Sequence, residues 1–591
     1  MISSEMTPYE KMNDANGSNW YANDPNLRFQ MDRFVDPADR AWVEEKLQAM
    51  GELMGTVVGP NAEITDKNPP KLERWDRNGE ETNRVVHHAS ALDTKRRLWK
   101  AGFLGLPWSD EAKGRKRPVP SPLMMAYYYL LCEAETGMWC SVGMTNGVGR
   151  LVERHGDEAT KARFLPMLRK MDYDAGWDGA MFMTEREGGS DVGAITTAAR
   201  FDGKVWRLSG FKWFCSNVDA KAIATLARPE GAREGVKGVA LFVVPKFLED
   251  GTPNGVRIRR IKDKLGTRAV PTGEVDFDNA VAYLLAGENG NALDGRGINR
   301  MMEMVTDSRL GVAAMGSGIM RRAFLDAAVY ATKREAFGKK LEDHGMVREE
   351  LIRMLVESEA GAAMIFKAGS LLADGWEAVP GETQLLRILV PLAKIRCARR
   401  GIEVASAAVE ILGGNGYIED WPTARQLRDA QCHTIWEGPE NVLALDVLRS
   451  MAKEQAHEGG LAFIDAALKR ATDPLLRIPK EGVKESFNAL METLTWLPTA
   501  DPEMVKLRAR RFSNLFADVL QGALLLDEAT WELENRGLAR KALIAAWFAK
   551  DHLLPDRTRG ITSDDRVALD LFHPITRYGE IKPIEAAPYL K

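Results

Sequence analysis

The sequence predicts an α+β protein in which helical segments at both ends enclose a central antiparallel β domain. Three observations predict it. Apolar residues recur at helical spacing between residues 40 and 171, and again after Gly297. Between about residue 180 and Asn289 the period changes to short β-branched and aromatic runs separated by Gly, Asn, Asp or Pro. No helical pattern alternates with those runs, so a small antiparallel barrel or sandwich is expected rather than a βαβ sheet. The 591 residues are enough for roughly three or four domain-sized units. Expected boundaries are 1–175 for an N-terminal arm and helical domain, 176–292 for the β domain, 293–452 for a helical bundle, and 453–591 for an additional C-terminal helical domain.

Residues 1–40 are polar and rich in Asn, Asp and Pro, and are expected to wrap as an extended arm or to stay partly mobile. Trp42, Val43, Leu47, Met50 and Leu53 then keep helical spacing until Asn68-Pro69-Pro70 stops it. Residues 75–79, Trp-Asp-Arg-Asn-Gly, read as a turn, and helices are expected over 92–99, 122–144 and 160–171. The strand series comprises 205–208, 222–227, 239–244, 256–261 and 275–277. Beyond it, Met301, Met304, Val305, Val312, Met315, Ile319 and Phe324 mark a long helix with small Ala, Gly and Ser on a close-packing side. Helices over about 347–372 and 382–412 follow, with Pro391 predicting a kink in the second. Gly413-Gly414-Asn415-Gly416 breaks the pattern before an apolar run from Val442 to Leu448, and four packed helices are the natural arrangement. Residues 453–591 are again mostly helical, punctuated by Pro474, Pro479, Pro498, Pro502 and Pro555.

Composition narrows the function classes. A net charge of −4, with 45% hydrophobic and 28% charged residues, gives no overall basic excess to draw in nucleic acid or anionic lipid. The start, Met-Ile-Ser-Ser-Glu-Met-Thr-Pro, has no basic end followed by an apolar core, so no secretory signal is expected. The apolar run from 123 to 132 is far too short to span a bilayer. Cys132, Cys140, Cys215, Cys397 and Cys432 form no Cys-x-x-Cys pair, which predicts buried free thiols in a reducing cytoplasm and no metal site. The doubled His87-His88 has no carboxylate or Cys at ligand spacing beside it.

The chemistry centres on residues 435–441, Ile-Trp-Glu-Gly-Pro-Glu-Asn. Glu437 sits in a short connection between two helices, preceded by an indole and followed by a glycine that permits a tight turn. A carboxylate placed there loses hydration, which raises its pKa and suits it to act as a base. The alternative is a half-exposed loop glutamate with no chemical role.

A second constellation is Met183-Thr184-Glu185-Arg186-Glu187-Gly188-Gly189-Ser190-Asp191-Val192. Two glycines beside Thr and Ser let backbone N–H groups approach an anionic or acceptor-rich ligand. It resembles the flavin-binding signature of acyl-CoA dehydrogenases. Further segments resemble that family in the same order: Gly210 to Ser216, Gly266-Thr267-Arg268 with Thr272, Arg309 in Thr-Asp-Ser-Arg, Arg334 to Gly338, and Leu412 to Tyr417. Asn68 to Asp76, and Ile435 to Gly438 with Leu445 to Arg449, are similar to the AidB-like branch of the family, so the resemblance covers roughly residues 50–570.

The resemblance implies FAD as cofactor, an acyl-CoA substrate, an electron-transfer flavoprotein as acceptor and a homotetramer. It implies Glu437 as general base, with Arg309 holding or tuning its charge. It implies a cofactor set of Met183, Thr184, Ser190, Phe214, Ser216, Arg334, Phe337, Glu410, Gly413, Gly414, Trp436, Gly438 and Asn441. Thr184 would bond the pyrimidine edge of the flavin, Phe214 would stack on the isoalloxazine and Ser216 would reach N5. Ser190 would meet the pyrophosphate or the pantetheine arm. Arg334 and the Gly413-Gly414 turn would meet FAD across a subunit interface. Glu410 stands where many members have glutamine, Pro439 where many have threonine, and Asn441 where glutamine is common. Trp139, Cys140, Met144 and Trp436 are candidates for the wall of an acyl pocket.

Three functions stay open on these residues. The first is an acyl-CoA dehydrogenase. The second is an AidB-type flavoprotein with a nucleic-acid-binding or alkylation-stress role and only weak dehydrogenase activity. The third is an acyl-CoA oxidase or flavin monooxygenase. In the AidB-like branch, DNA binding is tied to a basic C-terminal domain. Here residues 451–591 hold 20 Lys/Arg against 21 Asp/Glu, so weak, salt-sensitive DNA binding is the most that is expected.

Overall fold

The computed structural model describes residues 9–288, 290–373, 378–554, 558 and 561–590. The opening Met-Ile-Ser-Ser-Glu-Met-Thr-Pro, Asn289 and Pro555 therefore lie outside the described residues. Helix α1 (Pro25–Phe34) starts where the Asp24 side chain accepts from the Leu27 N–H at 3.0 Å and proline fills the first helical position. Helix α2 (Arg40–Leu53) continues through a wider turn, Met54–Val58, into α3 (Gly59–Lys67). Strands β1 (Lys71–Trp75) and β2 (Glu81–Val86) form a hairpin around the expected turn. There Asp76 accepts from the Asn78 and Glu80 N–H groups. Neither strand was expected: their five and six residues, rich in Lys, Glu and Arg, show little apolar alternation, although Leu72 and Val85 pack against the barrel core.

Helices α4 (Ala89–Lys100), α5 (Asp110–Lys113), α6 (Ser121–Ala134), α7 (Thr136–His155) and α8 (Glu158–Leu168) follow. The single helix expected over 122–144 is thus two. Glu135 breaks it with an extended backbone and caps α7 by accepting from the Gly137 N–H at 2.9 Å. Both helices are largely buried, so the apolar pattern runs across the break without a signal.

The middle of the chain holds β3 (Gly179–Phe182), β4 (Ala198–Phe201), β5 (Trp206–Ser216), β6 (Ala222–Pro229), β7 (Ala240–Pro245), β8 (Val256–Ile261) and β9 (Thr272–Leu284). After it come α9 (Gly297–Ala331), the short hairpin β10 (Glu335–Ala336) and β11 (Lys339–Lys340), α10 (Gly345–Ser370), α11 (Thr383–Leu412), α12 (Pro422–His433) and α13 (Glu440–Glu454). Helices α14 (Ala456–Arg470), α15 (Arg477–Trp496), α16 (Pro502–Arg536) and α17 (Arg540–His552) fill most of the C-terminal region.

The chain forms two compact units. One comprises Val57–Val119 and Glu135–Gly311. Its strands pair in the order β6–β4–β5–β9–β7 and close through β7 back onto β6, with β3 on β6 and β8 on β9. The sheet is antiparallel as expected except where β3 and the end of β4 run parallel to β6. Phe182, Leu208, Phe242, Val275 and Phe277 fill its core.

The other unit comprises Met1–Thr56, Pro120–Ala134 and Val312–Lys591. Its helices approach through small residues, as the sequence predicted. A Cβ on Gly316 of α9 would lie 2.2 Å from the Cys397 carbonyl oxygen of α11, and one on Gly318 would lie 2.7 Å from the Cys132 backbone of α6. From Tyr9 on, the segment expected to wrap as an extended arm or to stay partly mobile is packed here and includes helix α1. Tyr9, Trp20, Tyr21, Leu27 and Phe29 are buried, and Gly55 leaves room for the Ser18 carbonyl. A polar composition hid this because the few aromatic residues carry the burial. A buried ion network joins α1, α10, α16 and α17 of the same unit. Glu359 pairs with Arg540 at 2.6 Å and Lys541 at 2.7 Å, and Lys541 also reaches Glu528 at 2.7 Å.

Candidate active site

In the β-containing unit, the Gly-rich segment forms a tight loop after β3. The Glu185 N–H donates to the Gly188 carbonyl at 2.9 Å, and the Trp213 N–H donates to the Thr184 carbonyl at 2.9 Å. A Cβ at Gly188 would sit 2.2 Å from the Asp191 carbonyl oxygen, so only glycine closes this loop. A Cβ at Gly189 would sit 3.3 Å from Thr184 Cγ2, crowding the side chain expected to meet the cofactor. Met183 and Thr184 are half-buried, and Ser190 is exposed.

Strand β5 presents Phe214, 53% exposed, and half-buried Ser216, whose hydroxyl lies 3.0 Å from that of Thr272. Cys215 between them points into the barrel core, where burial pushes its thiol pKa up. Lys262 on the β8–β9 connection lies 3.4 Å from the Trp213 ring centre and 4.9 Å from that of Phe214. Arg309, on the N-terminal half of α9, is 5% exposed. Trp139 of α7 lies over Gly311: a Cβ there would be 1.8 Å from the indole. Cys140 and Met144, the other wall candidates on α7, are buried beside it.

In the helical unit, Glu437 stands in the turn between α12 and α13, half-buried, as are Trp436 and Gly438. Its φ is +57°, followed by +99° at Gly438. The left-handed region costs a non-glycine L-residue roughly 1–2 kcal/mol. Such strain persists where the surroundings enforce it, and it concentrates at functional sites. The Ile435 and Trp436 N–H groups both donate to the Cys432 carbonyl at 3.0 Å, closing α12. Glu440 opens α13, and Arg399 of α11 holds it at 2.8 Å, with Arg510 of α16 on its other oxygen. Asn441 is exposed.

Elsewhere in this unit the expected cofactor residues lie at the surface. Phe337 and Gly338, with φ of +52° and +79°, make the two-residue loop of the β10–β11 hairpin, and Phe337 is 97% exposed. Arg334, Glu410, Gly413 and Gly414 are also exposed. No atom would meet a Cβ at either Gly413 or Gly414. Gly413 is there for its left-handed φ of +60° at the end of α11.

Sequence reasoning missed the buried cations that hold these turns, Lys212 in the barrel and Lys394 in α11. A lysine inside an apolar pattern, as in Leu392-Ala393-Lys394-Ile395, is the signal that could have found the second. His87 and His88 have separate partners: His87 Nε2 lies 2.9 Å from Asp219, and His88 caps α4.

Comparisons with known proteins identify the family. Residues 180–280 match the acyl-CoA dehydrogenase middle domain and residues 295–452 the acyl-CoA dehydrogenase C-terminal domain. Residues 11–175 match the adaptive response protein AidB N-terminal domain. The chain is 31% identical to the putative acyl-CoA dehydrogenase AidB of Escherichia coli over 74% of this chain and 79% of that one. It is 28% identical to acyl-CoA dehydrogenase family member 11 of Caenorhabditis elegans over 93% and 92%. The solved structure of C. elegans ACDH-11 in complex with C11-CoA superposes with a TM-score of 0.83 at 27% identity, covering 96% of this chain and 98% of that one. The chain therefore belongs to the acyl-CoA dehydrogenase family, with an AidB-type N-terminal domain.

Proposed function

We propose that this protein is an FAD-dependent acyl-CoA dehydrogenase that removes the α- and β-hydrogens of an acyl thioester, with Glu437 as general base. The observation that carries the reading is the strained turn at Glu437: a carboxylate held left-handed between two helices, in the segment that resembles the family's active-site helix. FAD, when bound, supplies the acceptor for the β-hydrogen as hydride. Glu437 takes the α-proton, and its backbone N–H is the proposed donor to the thioester carbonyl, where negative charge develops.

The residues fit a flavin. The β unit offers the closed glycine loop with Thr184 and Ser190, the exposed ring of Phe214 and the hydroxyl of Ser216. The helical unit offers exposed Arg334, Phe337, Gly413 and Gly414, which we assign to the cofactor of a second copy within a homotetramer. The C11-CoA complex of the ACDH-11 relative makes acyl-CoAs of similar chain length the first substrates to try. An electron-transfer flavoprotein is the proposed electron acceptor, and a cytoplasmic setting is in keeping with five free cysteines. Among the described residues, no helix is long and apolar enough to cross a membrane.

The test is anaerobic mixing of the flavin-loaded protein with acyl-CoAs of graded length and branching. Glu437→Gln is expected to keep FAD and acyl-CoA binding while flavin bleaching slows by about 10²-fold or more. Bleaching by the variant at the wild-type rate would overturn the assignment. The match to the AidB N-terminal domain favours one second reading, a role in nucleic-acid binding or alkylation stress, which the final test below addresses.

A further inference from the structure

We propose that Lys394 is the residue that positions Glu437, holding its turn in the left-handed conformation needed for proton abstraction; this rests on Glu437 being the base. Lys394 lies in α11 and is wholly buried. Its Nζ donates to the Gly438 carbonyl at 2.7 Å and to the Thr434 carbonyl at 3.3 Å. Those carbonyls bracket Glu437, one at the end of α12 and one just past the base. A single ammonium therefore ties together the two ends of the turn whose middle residue is strained. Hydrogen bonds from an ionised donor are roughly twice as strong as neutral ones. Two of them offset the cost of holding a non-glycine residue in the left-handed region.

Its neighbours support a holding role. His433, next to Thr434, is wholly buried, and neither ring nitrogen has a hydrogen-bond partner. Burial, with the Lys394 charge adding to it, presses the His433 pKa down to about 3, so this imidazole adds no second positive charge at neutral pH. Arg399, further along α11, reaches Glu440 at the start of α13. One helix thus sends two cations to the α12–α13 connection, Lys394 to the Thr434 and Gly438 carbonyls and Arg399 to Glu440. Lys394 holds backbone oxygens on both sides of Glu437, so the effect proposed for it is on where the carboxylate stands.

The experiment compares Lys394→Met, Lys394→Arg and Glu437→Gln as flavin-loaded proteins, with the rate of anaerobic flavin reduction expressed per bound FAD. Lys394→Met is expected to bind acyl-CoA with KM changed less than about threefold while reduction slows by about 10- to 100-fold, as small misplacements of a reacting group do. Lys394→Arg, which can still donate to both carbonyls, is expected to recover most of that loss. Should Lys394→Met fail to fold, Lys394→Gln replaces it with the same expectation. A per-flavin rate within twofold of wild type in the Met or Gln variant, with Glu437→Gln inactive, would overturn the positioning role alone. Full activity in Glu437→Gln would overturn the base assignment instead.

Discussion

Lys212 Nζ lies 2.7 Å from Glu185 Oε1, and solvent reaches neither side chain. Glu185 directly follows Thr184, so this pair anchors the floor of the glycine loop to β5. Lys212 also donates to the Leu226 carbonyl at 2.9 Å, and Glu185 accepts from the Thr196 and Thr197 N–H groups. Burial pushes the Glu185 pKa up, but Lys212 and the threonine hydrogen bonds outweigh it and hold the carboxyl below its usual range. Burial likewise lowers the Lys212 pKa, with Glu185 opposing the drop.

Removing one partner of such a pair leaves a charge uncompensated in the barrel core. Lys212→Met is expected to lose about 3–5 kcal/mol of stability, while Glu185→Leu with Lys212→Met together recovers much of it. Urea unfolding of both variants measures the difference. The double variant should still bind FAD more weakly than wild type, because the loop behind Thr184 then keeps only its backbone hydrogen bonds and loses its side-chain anchor. Flavin affinity equal to wild type in the double variant would remove the loop-anchoring role.

Acid should weaken the helical unit. Burial pushes Glu359 up, but Arg540 and Lys541 more than offset it and bring its pKa to about 2. Burial also opposes Glu357, where the His552 hydrogen bond and Arg400 prevail to give about 2. A folded pKa below the unfolded value of 4.5 contributes stability that is complete above pH 4.5 and is lost as the pH falls toward 2. Glu359 contributes on the order of 3 kcal/mol in this way. Glu359→Gln should therefore be less stable than wild type at neutral pH and should lose less stability between those two pH values. Equal slopes of unfolding free energy against pH in the two proteins would contradict this.

Much of the fold is legible from period and punctuation. The five expected strand runs all fall on observed strands, and α9, α10 and α11 begin and end close to where the patterns do. What escaped notice has common physical causes. The strands β3 and β4 are four residues each, too short to show alternation. The α6–α7 break carries no glycine or proline, because a buried carboxylate makes it. At the site, Glu437 and the Gly188–Gly189 loop stand out as residue types in a pattern. Lys212 does not, and Lys394 shows only as a lysine within an apolar run, since the carbonyls and the carboxylate they act on are brought near only by tertiary packing. The left-handed φ at Glu437 is likewise a consequence of that packing and has no local signature.

Phe337 leads to a prediction about assembly. An apolar ring 97% exposed at a left-handed position is unfavourable twice over in a lone chain. Cover from another copy would make use of it, so light scattering is expected to give a tetramer in which FAD loading depends on assembly. Phe337→Asp should lower FAD affinity by about tenfold or more, with secondary structure unchanged. A monomeric mass at full flavin content would argue against the shared cofactor site.

The last prediction concerns DNA. Affinity for duplex DNA comes largely from neutralising phosphates and releasing counterions, so it needs cations that are free to do so. The C-terminal region holds nearly balanced charge, and its densest basic run, Lys506, Arg508, Arg510 and Arg511, lies on α16. Two of the four are already engaged. Lys506 pairs with Glu503 at 2.7 Å, and Arg510 pairs with Glu440 at the start of α13. Drawing Arg510 onto a phosphate would give up a contact that steadies the connection carrying Glu437. Binding is therefore expected to be weak, non-specific and abolished near 0.15 M ionic strength, where the screening length is about 8 Å. Fluorescence anisotropy with a labelled duplex across a salt series measures it. Submicromolar affinity retained at that ionic strength, and lost when Arg508, Arg510 and Arg511 are changed to Glu, would favour a nucleic-acid role over the dehydrogenase reading.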